Sequence, residues 1–174
     1  MPGIIVGVDG SGHSGHALRW AMQEAARRHA PLTVMTVCPS PARPATAAFW
    51  GLPTLPDGGF NVEHARRVVQ EAVGQAASEI GETAPEVTVS VATGQPTEEL
   101  LRASQDADLL VVGSRGTGRF TRLLLGSVSS HVLQKAACAV VVIPRTAKPP
   151  RPGMTTKDSP GWPAGDPSLS PSGR

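Results

Sequence analysis

The chain has 174 residues, a length that fits one domain with a tail. Gly contributes 19 residues and Pro 17, whereas aromatics make 3% and Tyr is absent, which disfavours nucleic-acid binding by base stacking. The formal net charge is +2, and residues 1–145 carry twelve Lys/Arg against twelve Asp/Glu, so the excess lies beyond them and a strongly basic nucleic-acid-coating surface is excluded.

Ile4-Ile5-Val6-Gly7-Val8 is a β-branched run closed by Asp9-Gly10 and predicts a buried strand. Ser14 is the expected N-cap of the helix that follows. Ala17, Leu18, Ala21, Met22 and Ala25 recur on one face of that helix, which ends near His29 before Pro31. Leu32 to Val37 predicts a second strand. Residues 39–60 hold five prolines and read as a long irregular loop carrying Phe49 and Trp50. Val62, Ala65, Val69, Ala72, Val73, Ala76 and Ile80 mark a second helix. Glu86 to Ala92 alternates Val87, Val89 and Val91 with polar residues and predicts a strand with one less buried side. Thr97 is the expected cap of a short third helix whose first turn holds Glu98 and Glu99, the charge that a helix N-terminus favours. Asp108 to Val112 is a fourth strand, Ser127 to Ala137 a fourth helix, and Ala139 to Ile143 a fifth strand stopped by Pro144.

Strands alternating with helices imply one α/β domain over residues 1–145: a doubly wound, five-stranded parallel sheet with helices on both faces. The apolar runs of the first and fourth strands suit central positions. Residues 146–174 contain seven Pro, four Gly and four Ser without apolar periodicity. A segment of this composition cannot bury enough surface to offset its ordering entropy, so a disordered tail is expected, with Trp162 alone in it.

No apolar run approaches the roughly 20 residues of a membrane span. Met1-Pro2-Gly3 leads straight into the first strand without a basic segment or cleavage site, so no secretory signal is expected. Cys38 and Cys138 are isolated thiols without metal-ligand or disulfide spacing. A cytoplasmic protein is the expectation, with no membrane or nucleic-acid partner.

In a doubly wound sheet, ligands bind beyond the carboxyl ends of the strands where strand order reverses. Two glycine-rich segments follow the expected central strands. Gly10-Ser11-Gly12-His13-Ser14-Gly15 fits the G-x-G-x-x-G pattern of dinucleotide sites. The acid expected at the end of strand two is missing, however, and the chain supplies only one mononucleotide-binding half. A tight turn and direct ligand contact both remain open for these glycines.

The second segment runs from Gly113 to Ser127. Gly113 and Gly116 let the chain leave strand four and bring backbone N–H groups close to a ligand. Ser127 opens a helix whose first N–H groups and dipole attract an anion. Arg115, Arg119 and Arg122 add three positive charges, and no Asp or Glu occurs from Gly113 through Ala137. Phosphate is the ligand this pattern favours.

The spacing G-x2-G-x9-G-[S/T], met by Gly113, Gly116, Gly126 and Ser127, resembles the ATP-binding signature of the universal stress protein family. The opening Ile4 to Ser11, the segment Gly94-Gln95-Pro96, the continuation Val128-Ser129 and the closing Ala139 to Pro144 are similar to that family too. The resemblance covers residues 3–145. It implies strand order 3-2-1-4-5, with Asp9 and Gly10 beside the Gly113 turn. It implies that Val37 packs on adenine and that Asp9 lies near the ribose and the metal-bearing phosphates. Gly113, Arg115 and Gly116 would line the ribose and phosphates, and Gly126, Ser127 and Val128 would hold the phosphates. Mg2+ would accompany ATP, and two copies would pair through Ala139 to Ile143 into a homodimer.

No P-loop lysine motif, no G-x-S-x-G elbow and no H-E-x-x-H motif occurs, and Lys135 is the one lysine before residue 146. These absences weigh against a true enzyme, and the resemblance implies a nucleotide-responsive stress-response or signalling module. A slow ATP hydrolase or phosphotransferase, with autophosphorylation at Ser127 or Ser129, is one alternative. A protein-interaction module using residues 39–60 and the tail, with incidental nucleotide binding, is the other.

Overall fold

Five β-branched runs pair into one parallel sheet, and four amphipathic segments form the helices between them. The computed structural model describes residues 3–38, 61–116 and 125–144. The strands are β1 (Gly3–Gly7), β2 (Leu32–Cys38), β3 (Val87–Thr93), β4 (Ala107–Gly113) and β5 (Ala139–Ile143). The helices are α1 (Gly12–Arg28), α2 (Val62–Ile80), α3 (Pro96–Ala103) and α4 (Ser127–Lys135). Sheet order is β3-β2-β1-β4-β5, so the expected five-stranded fold and its strand order hold. The predicted irregular loop over 39–60, Arg119, Arg122 and the predicted tail lie outside the described residues.

Side chains on successive strand residues point to opposite faces, and both faces are covered. Ile4, Val6, Leu32, Val34, Leu109 and Val111 pack with Ala17, Leu18, Ala21 and Met22 of α1 and Val69 and Ala76 of α2. Met35, Val37, Leu110 and Val112 pack on the other face with Leu100 of α3 and Val132 of α4. This two-sided burial is why β1 is apolar throughout and β4 is apolar from Leu109 to Val112 instead of alternating. Crossovers between parallel strands share one hand. Pairing therefore runs outward from β1 through α1 and α2 on one face, then from β4 through α4 on the other. The reversal leaves a crevice between the carboxyl ends of β1 and β4.

Two helix starts differ from expectation. Ser11, not Ser14, caps α1: its hydroxyl accepts the Ser14 N–H, and Ser14 is buried inside the first turn. Both are capping-type residues three apart; β1 ends at Gly7, and the earlier serine takes the cap. Helix α3 begins at Pro96 after Gln95, with no side-chain cap, so Thr97 lies within the helix. Pro suits that first position because its missing N–H would have no intrahelical acceptor.

Near the end of α1, Glu24 is buried and accepts hydrogen bonds from Arg27 (2.6 and 2.9 Å) and Arg28 (2.6 Å). The Arg27 guanidinium, chiefly, holds the Glu24 carboxyl below its ordinary value, against the opposing effect of burial. A lowered folded-state value contributes stability above the ordinary value of 4.5, and that contribution is lost as pH falls through the lowered one. Glu24→Gln is expected to cost about 1 kcal/mol at neutral pH and to flatten this part of the acid dependence. Urea unfolding of both proteins at neutral pH and below 4.5 checks this.

Candidate nucleotide pocket

The crevice at the switch point holds a cavity of about 200 Å3. Eight of the nine sequence-predicted residues line it: Asp9, Val37, Gly113, Arg115, Gly116, Gly126, Ser127 and Val128. Gly10 does not line it; it is exposed and adopts φ +75° in the turn between β1 and α1, where its conformational freedom is used. Gly7, Ser14, Pro96, Leu100, Val112 and Ser129 complete the wall. Leu100 and Val112 carry helical and strand periodicity that marks them as core, with no signal for a pocket. Pro96, Ser14 and Ser129 each lie in a motif visible in the sequence (Gly94 to Pro96, Gly10 to Gly15 and Gly126 to Ser129), but none of the three is among the predicted site residues.

The turn after β1 is held by its own polar groups. The Ser11 N–H donates to Asp9 Oδ1 (3.0 Å). The Asp9 N–H donates to Ser14 Oγ (3.2 Å), whose hydroxyl donates to the Ser11 carbonyl (3.0 Å). These bonds fix the backbone that carries the Asp9 carboxylate at the pocket.

The turn after β4 packs directly on this one. A Cβ on Gly113 would lie 2.9 Å from the His13 carbonyl carbon and 3.0 Å from its oxygen. A Cβ on Gly116 would collide with Asp9 Oδ2. Neither glycine has a positive φ. At Gly113 close approach to backbone, not conformational freedom, is what requires glycine, a correction to the sequence-based reason; at Gly116 the neighbour is the end of the Asp9 side chain. Gly126 is looser: a Cβ there would stand 3.4 Å from both Arg115 Cα and Ser129 Oγ.

Gly126 (φ −68°, ψ 162°) stands at the N-cap of α4 and supplies no side-chain cap. Its N–H donates to the Ser114 carbonyl (2.8 Å), and the Ser114 N–H donates to the Ile143 carbonyl (2.8 Å). The first N–H groups of α4 have no intrahelical acceptor, and the helix dipole is positive at this end. The charged side chains of the described lining are Asp9 and Arg115, the latter exposed at the rim. One wall is therefore apolar (Val37, Leu100, Val112), and the other offers amides, glycine backbone and a guanidinium. An apolar slot beside an anion-attracting helix end suits a flat heterocycle joined to phosphate.

His131 points back along its own helix, donating from Nδ1 to the Ser127 carbonyl (2.8 Å), and does not line the pocket. Burial pushes the Cys38 thiol up and, as the largest cause, the Cys138 thiol too. Neither has the lowered value of a reactive thiolate at neutral pH. Among the described residues no group of three or more His, Cys, Asp or Glu could hold a metal ion, and no helix is long and apolar enough to cross a membrane.

A model of the universal stress protein family matches residues 2–144. A universal stress protein of Mycobacterium tuberculosis is 38% identical over 146 residues, covering 81% of this chain and 47% of that protein. One from Mycolicibacterium smegmatis is 37% identical over 142 residues, with 81% and 47% covered. The chain thus spans about half the length of the curated relatives it matches. Among solved structures, a universal stress protein from Lactobacillus plantarum superposes with TM-score 0.66 at 26% identity, covering 82% of this chain and 97% of that one. A universal stress protein in complex with cAMP superposes with TM-score 0.57 at 25% identity, covering 83% and 98%.

Gly113→Ala is expected to destabilise the fold by about 1–3 kcal/mol, because the methyl group meets rigid backbone. Gly126→Ala is expected to cost clearly less, since its neighbours stand farther off. Chemical unfolding of the two variants measures the difference.

Proposed function

The chain belongs to the universal stress protein family, and on that premise we propose that it binds an adenine nucleotide, ATP with Mg2+, in the crevice between β1 and β4. It then serves as a nucleotide-responsive stress-response or signalling module in the cytoplasm. The observation that carries this proposal is the joining of an apolar slot, Asp9, the Gly113-to-Gly116 turn and the uncapped start of α4 in one cavity. A relative of the same fold bound to cAMP, an adenine nucleotide, supports the ligand class.

In this proposal Val37 packs against the base, and Asp9 serves the ribose and the phosphate-bound cation. Gly10 shapes the turn that carries Asp9. Gly113, Arg115 and Gly116 run along the ribose and phosphates, and Gly126, Ser127 and Val128 receive the phosphates. Asp9 is the one carboxylate of the described lining. A single carboxylate fits a cation held mainly by phosphates and water, as Mg2+ usually is, rather than a cation caged by protein. The cation would neutralise phosphate charge there. The described lining contains neither lysine nor histidine, which favours binding over phosphoryl transfer.

The proposal extends to assembly. Strand β5 is an outer strand, its Val140, Val141 and Val142 are only partly buried, and Leu133 of α4 is 50% exposed. An apolar sheet edge is a liability unless covered, and pairing of β5 with a second copy would cover it.

Titration calorimetry with Mg-ATP tests the nucleotide proposal. Saturable binding is expected in the wild type. Arg115→Glu, at an exposed position, is expected to fold normally and to weaken binding at least about tenfold. Absence of binding at millimolar ATP, or an unchanged affinity in the variant, would refute it.

A further inference from the structure

Two serines of the pocket wall are buried, Ser14 (4% exposed) and Ser129 (3%). The hydroxyl of Ser14 stays within the turn after β1. Ser129 differs. It lies in the first turn of α4, and its hydroxyl is 3.1 Å from the Ser114 carbonyl and 3.1 Å from the Gly126 carbonyl. Ser114 is the first residue beyond β4, and Gly126 is the residue before α4. The same two points are joined by the Gly126 N–H, which donates to the Ser114 carbonyl (2.8 Å). The segment that leaves β4 and returns as α4 is therefore pinned at its neck twice, once by backbone and once by a side chain.

A serine hydroxyl has one proton to donate. The Gly126 carbonyl already accepts the Ser130 N–H (2.9 Å) as the first bond of the helix. The Ser114 carbonyl likewise accepts one N–H, that of Gly126, so each carbonyl has a lone pair left and the Ser129 hydroxyl, equidistant from both, bridges the neck. Ser114 is tied onward to β5 through its own N–H. The bond from Ser129 fixes the start of α4 relative to the end of β4 and so relative to the whole sheet edge.

We infer that Ser129 is a positioning residue for phosphate binding: by bonding the Ser114 carbonyl it holds Arg115, Gly116 and the first amides of α4 in one frame. This rests on the nucleotide reading proposed above. An amide cluster binds an anion well only when its donors are already aimed, because ordering them on binding costs affinity.

The test combines amide exchange of Gly126 in the nucleotide-free protein with calorimetric titration of Mg-ATP. Ser129→Ala is expected to speed Gly126 exchange about tenfold and to weaken ATP binding about three- to tenfold, with cooperative unfolding retained. Ser129→Thr, which keeps the hydroxyl, is expected to restore both. Ser14→Ala, which removes an equally buried hydroxyl elsewhere in the wall, is expected to leave Gly126 exchange unchanged. If alanine prevents folding, Ser129→Cys keeps the volume with a weaker donor and takes its place. Unchanged Gly126 exchange in the variant overturns the inference, as does unchanged affinity despite faster exchange. A wild type that binds no ATP overturns the nucleotide reading and the phosphate role together, while faster Gly126 exchange in Ser129→Ala would still establish the pin itself.

Discussion

Backbone packed on backbone at the β1–β4 switch point is the constraint on which the pocket depends. The end of β4 lies against the first turn of α1 so closely that Gly113 has no room for a Cβ beside the His13 backbone, and Gly116 sits against the Asp9 carboxylate. This contact brings a carboxylate, a glycine turn and a helix N-terminus to one cavity. It follows from the sheet order, because only adjacent central strands whose crossovers diverge leave their carboxyl ends uncovered.

Burial on both faces supports that arrangement. The central strands are apolar at consecutive positions, and the two faces form separate clusters with α1 and α2 on one side and α3 and α4 on the other. Val37 and Val112 belong to the second cluster and to the pocket wall at once. The floor of the site is thus part of the core, and polar function is confined to the turns at its rim. The rim is held by short-range bonds among Asp9, Ser11 and Ser14 on one side and by Ser114, Gly126 and Ser129 on the other.

Much of this was legible in the chain itself. The five apolar runs and the helical periodicities predicted every described strand and α-helix with boundaries shifted by at most three residues, the largest shift at the start of α1, because two-fold and 3.6-fold patterns are written locally. The glycine spacing from Gly113 to Ser127 pointed to residues that do meet in one cavity. The caps of α1 and α3 were less legible. Ser11 and Ser14 compete for the same role, and which one wins depends on where the preceding turn releases the chain.

The α/β alternation, the family to which the chain belongs and the segments that carry glycine and arginine can all be read from the order of residues. They are encoded by neighbours in the chain, through propensity, periodicity and motif spacing. Why Gly113 must be glycine emerges only in the folded molecule, since the atoms that exclude a side chain belong to the His13 backbone, a hundred residues away in sequence. Folding likewise gives Ser129 a purpose beyond the first turn of a helix, because its partner Ser114 lies fifteen residues earlier on another element. A contact between distant residues leaves no local pattern, so it becomes visible only when folding brings the two turns together.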